Sequence, residues 1–307
     1  MRLLFAGTPD VAVPSLDALM VSHHDVVGVL TRPPAPAGRG RGERRSAVHD
    51  RALECGLPVL TPSSLRDEQA LAEIRALQPD CCPVVAYGAL VPPRALSLPP
   101  HGWINLHFSL LPAWRGAAPV QHAIRAGDEV TGATTFILDE GLDTGPILGQ
   151  MTTEIGPAET AGDLLGRLAV DGADLLVMTL TAVENGDIDA RPQSTDGVSL
   201  APRVDVADAR IDWSMPAQAI ERLVRAMTPA PGAWTTLHDE RVKVGPVTLA
   251  ESGDLAPGVI SVRRREVLVG TGNADIVLGD VKAQGKRAMP ATDWVRGLRL
   301  ETGELFA

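Results

Sequence analysis

The chain reads as an α/β Rossmann-like domain with a mostly parallel sheet, followed by a smaller C-terminal β-barrel domain of OB-like type. Three observations predict this. Short β-branched runs alternate with helical patterns over the first 184 residues, the signature of parallel strands with crossover helices. From Asn185 to Ala207 periodicity is lost and Gly, Pro, Ser and Asp collect, as in a linker. Beyond Ala233 short apolar runs broken by Gly and Pro suit a small antiparallel barrel. Domains are therefore placed at 1–188 and 208–307, with the linker at 189–207.

In chain order, strands are predicted at Leu3–Ala6, Val26–Leu30, Pro83–Ala86 and Trp103–Leu106. Helices are predicted at Val11–Met20, Ser46–Cys55, Asp67–Leu77 and Pro119–Ala126, where Pro119 suits a first helical turn. A strand pair, Gly132–Leu138 and Pro146–Thr153, brackets a loop at Asp143. Helical spacing of Leu164, Leu165, Leu168, Leu175 and Leu176 predicts a long helix over Ala161–Glu184. After the linker, Met215–Met227 reads as a helix, and Arg241–Leu249, Gly258–Val262, Val267–Val269 and Ala274–Leu278 read as strand-length runs.

With 307 residues and 45% hydrophobic content, the chain can fill two cores. No apolar run reaches the ~18 residues needed to span a bilayer, and the first six residues are too short for a signal-peptide core. Cys55, Cys81 and Cys82 form no metal spacing and leave an odd count, so a reducing cytoplasm, no disulfide framework and no metal are expected. A monomer is the expected state. The net charge of −10 argues against a generic nucleic-acid binder. The acidic excess lies entirely in residues 1–207, however. The balanced second domain, with clusters at Arg263–Arg265 and from Lys282 to Arg287, can still present a basic face.

The chemistry is concentrated in Asn105-Leu106-His107-Phe108-Ser109-Leu110-Leu111-Pro112 and, about thirty residues on, Asp139-Glu140-Gly141-Leu142-Asp143-Thr144-Gly145. On a strand, Asn105 and His107 point to the same face. An amide donor beside an imidazole, with a carboxylate from a second loop to tune that imidazole, is what acyl transfer through a tetrahedral intermediate requires. His101 and His122 lack this setting, and His23, His24, His49 and His238 carry no functional signal. Ser109 has no glycine elbow around it and reads as a turn hydroxyl. The opening Phe5-Ala6-Gly7-Thr8-Pro9 has one glycine where a dinucleotide fingerprint wants three, which sets a nicotinamide cofactor aside.

Between Arg32 and Arg45 the chain is rich in Arg, Gly and Pro without a hydrophobic anchor. It is expected to be a mobile, exposed loop that meets a phosphate-bearing partner.

Taken together, the Phe5–Pro9 opening, Pro36-Ala37-Gly38-Arg39-Gly40, Val85-Ala86-Tyr87-Gly88, the Asn105–Gln121 run, the Asp143 loop, Ile211-Asp212-Trp213 and Gly285-Lys286 resemble the formyltransferases that use 10-formyltetrahydrofolate. Trp114-Arg115-Gly116-Ala117-Ala118-Pro119-Val120-Gln121 is similar to the branch acting on methionyl-tRNA. The resemblance implies Asn105, His107 and Asp143 as the catalytic trio. It implies Ser109, Leu110, Leu111 and Pro112, with Tyr87 and Gly88, as folate contacts, and Arg39, Arg41, Arg44, Arg45 and Arg203 as tRNA contacts. The implied substrates are 10-formyltetrahydrofolate and initiator methionyl-tRNA, with tetrahydrofolate released. Phe108 departs from the glycine common beside the histidine. Rival readings are a formyltransferase for a sugar-nucleotide amine or for glycinamide ribonucleotide, and an RNA-binding protein with a degenerate transferase domain.

Overall fold

The structure, a computed structural model, describes residues 1–37, 42–251, 253–300 and 302–307. They pack as two compact units, one of residues 1–116, 130–154 and 165–200 and the other of residues 117–129, 155–164 and 201–307. Two segments that precede residue 188 thus pack with the C-terminal part of the chain.

The elements before the C-terminal part run β1 (Arg2–Gly7), a 3-10 turn (Asp10–Ala12), α1 (Val13–Val21), β2 (Asp25–Leu30), β3 (Ala35–Ala37), β4 (Gly42–Arg44), α2 (Ala47–Glu54), β5 (Val59–Leu60) and α3 (Glu68–Leu77). They continue with β6 (Cys82–Val85), α4 (Pro93–Leu96), β7 (Trp103–His107), α5 (Pro119–Ala126), β8 (Val130–Ile137), β9 (Ile147–Glu154) and α6 (Ala161–Asn185). Seven of the strands form one sheet in the order β5-β2-β1-β6-β7-β8-β9. Pairing is parallel from β5 through β7 and antiparallel at β7/β8 and β8/β9. Leu3, Leu4, Phe5 and Ala6 of β1 are fully buried, as a strand covered on both faces must be. β9 instead alternates half-buried and exposed residues beyond its first two, the mark of an edge strand with one wet face.

Local chemistry fixes the helix starts. Ser46 accepts from the His49 N–H at 3.0 Å and Asp67 from the Gln69 N–H at 3.1 Å, so each supplies a side-chain cap. Gly7 packs β1 against the turn that follows it, because a Cβ there would lie 2.8 Å from the Phe5 ring and 2.9 Å from the Ala12 Cβ. Its single glycine therefore serves close packing.

The chain steps from β1 outward to β2 and β5, then crosses back to β6 and on to β7. The order of connection reverses between β1 and β6, where open α/β sheets bind ligands at the carboxyl ends of their strands.

In the second unit α7 (Ala217–Met227) precedes β10 (Trp234–Leu237), β11 (Glu240–Val244), β12 (Val247–Leu249), β13 (Ile260–Val262), β14 (Val267–Gly270), β15 (Asp275–Leu278), β16 (Asp280–Ala283), β17 (Met289–Pro290) and α8 (Ala291–Leu298). Two antiparallel four-stranded sheets, β10-β11-β16-β17 and β12-β15-β14-β13, share one core. Ile211 and Trp213 explain their motif, since both are buried there while Asp212 accepts from the Ser214 backbone and hydroxyl. The Phe306 ring stacks on Trp213 at 5.3 Å and on Trp294 at 6.1 Å between centroids.

The stretch from Arg32 to Arg45 departs from the expected irregular loop, because Ala35–Ala37 pairs with Gly42–Arg44 as a short antiparallel ladder. Backbone hydrogen bonds alone make such a ladder, so no side-chain alternation announces it. No helix among the described residues is long and apolar enough to cross a membrane.

Candidate active site

His107 is the last residue of β7, and only 6% of it is exposed. Its neighbours define its chemistry. The Nε2 nitrogen lies 2.9 Å from the Trp114 carbonyl, which can only accept, so Nε2 carries a proton in the neutral ring. Nδ1 is then the basic nitrogen, and it faces Asp143 Oδ2 at 3.8 Å, in charge contact but beyond a direct hydrogen bond. The Phe136 ring stands edge-on to the imidazole, with centroids 6.4 Å apart. Burial holds the His107 pKa below its usual 6.5, opposed by the Asp143 carboxylate and by the hydrogen bond to Trp114. The ring is therefore a neutral base at pH 7.

Asn105 stands two residues before His107 on β7, with neighbours Val84 on β6 and Phe136 on β8. Among the described residues no protein group hydrogen-bonds its amide, and the residue is half-buried. The amide donors are thus directed from a rigid strand without being consumed by the fold.

Asp143 sits in the loop between β8 and β9 with φ of 52°, a left-handed conformation that Asp tolerates better than most residues. Its Oδ2 accepts from the Gly116 N–H at 2.8 Å. The loop closes on itself, as Asp139 Oδ1 accepts from the Gly141 N–H and the Thr144 hydroxyl. Gly145 is required by space, since a Cβ there would fall 1.8 Å from the Ile137 carbonyl oxygen. Gly145→Ala is expected to lower stability by about 1–3 kcal/mol through this overpacking, read as a shift in the urea midpoint.

The turn after β7 is tied to the sheet. Ser109 is fully buried and its hydroxyl donates to the Ala113 carbonyl at 2.6 Å. The Leu111 N–H donates to Thr134 Oγ1, whose own hydrogen goes to the Ser109 carbonyl. Gln150 Nε2 donates to the Leu111 carbonyl at 3.0 Å. Leu110 and Pro112 are half-buried, Leu111 is buried, and Phe108 is buried at 7% exposure. This fixed turn, with β7 beside it, leaves the backbone of residues 109–112 as a rigid shelf.

At the switch point, the Thr8 hydroxyl donates to the Tyr87 carbonyl at 2.7 Å. The Tyr87 side chain is 2% exposed within the core, and burial pushes its hydroxyl up to about 12. Ala86 and Gly88, by contrast, are exposed and both have positive φ, 47° and 76°. Any ligand contact here would come from backbone. Arg44 and Arg45 are exposed, Arg45 lying 3.8 Å from Asp50, and Arg203 is exposed in the second unit. Arg39 and Arg41 lie outside the described residues.

Sequence reasoning missed two groups. Residues 191–200, read as linker, pack against the segments that build the site: Arg191 pairs with Ile147 of β9, and Ser199 accepts from the N–H groups of Trp114 and Arg115. In the second unit, Arg210, Trp234, Arg241, Lys243 and Lys282 surround a cavity of about 780 Å³. The guanidinium carbons of Arg241 and Arg210 lie 4.0 and 5.7 Å from the centre of the Trp234 ring. Of these, only Lys282 falls in a run of basic residues; Arg210, Trp234 and the Arg241/Lys243 pair come from separate segments. His23 and His24 cluster with Glu184 at the amino-terminal end of the sheet, away from β7's carboxyl end.

A buried neutral imidazole with a carboxylate beside it and an unengaged amide two residues away, at the carboxyl end of a doubly wound sheet, describes an enzyme of acyl-group transfer. The family model for formyl transferase matches residues 1–180, and that for the formyl transferase C-terminal domain matches residues 203–299. The chain is 60% identical over 308 residues to a methionyl-tRNA formyltransferase of Salinispora tropica, covering 100% of both chains. It is 58% identical over 306 residues to the one from Streptomyces avermitilis, covering 99% of both. A solved N-formyltransferase from Helicobacter canadensis, in complex with folinic acid and dTDP-3-aminofucose, shares the fold with a TM-score of 0.69 and 18% identity, over 91% of this chain and 98% of that one. The chain belongs to the formyl transferase family and, within it, to the methionyl-tRNA formyltransferases.

Proposed function

We propose that this enzyme transfers the formyl group of 10-formyltetrahydrofolate to the α-amino group of methionyl initiator tRNA, with Asn105, His107 and Asp143 as its catalytic residues. The observation that carries the chemistry is the ring of His107, with Nε2 committed to a carbonyl and Nδ1 facing Asp143. The full-length similarity to methionyl-tRNA formyltransferases supports the acceptor.

The neutral α-amine attacks the formyl carbon, forming a C–N bond while the carbonyl π pair moves to oxygen. The Asn105 amide donates to that oxyanion, a contact of the kind whose loss costs ~3 kcal/mol. As the amine becomes cationic, His107 Nδ1 takes its proton, and the adjacent Asp143 stabilises the imidazolium. The tetrahedral intermediate collapses with cleavage of the bond to the folate N10, which receives the proton from His107 and leaves as tetrahydrofolate.

The second unit offers the acceptor a cavity with four cations, Arg210, Arg241, Lys243 and Lys282, against one carboxylate, Asp239, around a tryptophan face. Such a surface suits phosphates and a stacked base. The double substitution Arg241→Ala/Lys243→Ala is expected to raise KM for the tRNA about tenfold at low salt, flatten its salt dependence by about two phosphate contacts, and leave kcat within twofold. Steady-state kinetics across a salt series measure all three. Equal KM and salt slope in the variant would remove this cavity from the tRNA path.

A further inference from the structure

We infer that Gln193 is a positioning residue for the formyl transfer proposed above: it fixes the backbone of the Asp143 loop, and Arg115 fixes Gln193. The Gln193 Nε2 donates to the carbonyl of Asp143 and to that of Gly145, both at 2.8 Å. Its Oε1 accepts from Arg115 Nε at 3.0 Å and Nη2 at 2.7 Å. A primary amide has two N–H donors and two lone pairs, and here all four are used. The orientation follows without ambiguity. A guanidinium only donates and a carbonyl only accepts, so the amide oxygen must face Arg115 and the nitrogen must face the loop.

The loop needs such a hold. Asp143 has a positive φ of 52°, and residues without glycine's freedom persist there only when their surroundings over-determine them. The side chain of Asp143 is held separately, through the Gly116 N–H. Residues 114–116 thereby join three parts of the site: the Trp114 carbonyl accepts from His107, Arg115 orients Gln193, and the Gly116 N–H donates to Asp143. The strip 191–200 anchors this segment in turn, through Ser199. Gln193 is therefore a part of the active site inside a stretch whose composition suggests only a connector.

Its effect is exerted through His107. Among the described residues, Asp143 is the charged group that acts on the imidazole; the Phe136 ring and the Trp114 carbonyl are its other neighbours. Loosening the loop lets Asp143 drift from Nδ1 and weakens its support of the imidazolium.

The test is Gln193→Met, similar in volume but without donor or acceptor, studied by NMR titration of His107 and by steady-state kinetics. The expected result is a downward shift of the His107 titration, with kcat reduced on the order of tenfold to a hundredfold and KM for both substrates within about twofold. Arg115→Met, which frees the amide to turn, is expected to move the titration the same way and stands in should Gln193→Met fail to fold. A His107 titration and a kcat unchanged in both variants would overturn the proposal. The titration needs no substrate, so it reads the coupling even if the wild-type enzyme turned out to formylate a different amine.

Discussion

His107→Ala is expected to lower kcat for formyl transfer on the order of 10³-fold or more while the protein stays folded, because it removes both the proton acceptor and the cation that forms beside the oxyanion. The side chain lies at the end of β7, and after its loss the Trp114 N–H still donates to Ser199 and Asp143 still accepts from the Gly116 N–H. KM for the folate should change little. The pH dependence carries the same signature. Burial holds His107 below 6.5, so the free base persists at pH 7 and the ring protonates only as the pH drops through that lowered value. The His107 titration of the wild-type enzyme, followed by NMR, should therefore have its midpoint below pH 6.5. A variant within a few-fold of wild type would remove His107 from the chemistry.

Asp143→Asn is expected to cost on the order of 10²- to 10⁴-fold in kcat, as the loss of a charge that supports a catalytic imidazolium does. The sign of its effect on His107 is fixed by the geometry. The carboxylate at 3.8 Å raises the His107 pKa against the stronger lowering by burial, so neutralising it moves the titration further down. The asparagine oxygen can still accept from the Gly116 N–H, which keeps the loop in place. A downward shift of the His107 NMR titration together with the loss of turnover would tie the two residues into one proton-handling unit. Loss of turnover with an unmoved titration would assign Asp143 to binding.

The proposed trio stood out in the sequence through short-range signals and through the family resemblance that singled out Asp143. Asn105 and His107 share a face through the two-residue period of β7, and Asp143 stands between Gly141 and Gly145 in a loop bracketed by two strands that do pair. Gly145 is dictated by the Ile137 carbonyl, a contact that shows in sequence only as a glycine. Gln193 had no such signal. It acts through main-chain carbonyls fifty residues away, and an amide in an aperiodic stretch looks like any solvated polar residue. Arg241 likewise meets Trp234 only once β10 and β11 pair, and Arg210 only through its own bridge to Trp234.

The parallel sheet was legible from buried β-branched runs, but β5 was not, being two residues long. Helix α8 was missed although Ala291, Trp294, Val295 and Leu298 recur at helical spacing, because the strand-like runs around it set the reading.

The most direct measurement is formyl transfer from 10-formyltetrahydrofolate to methionyl initiator tRNA, with elongator methionyl-tRNA and an amino sugar nucleotide as parallel acceptors and His107→Ala as the control enzyme. Rapid turnover by the wild-type enzyme on the initiator tRNA, absent with the other acceptors and nearly absent with His107→Ala, is the predicted result. Consumption of the folate with the amino sugar nucleotide, and none with tRNA, would contradict the assignment of the acceptor.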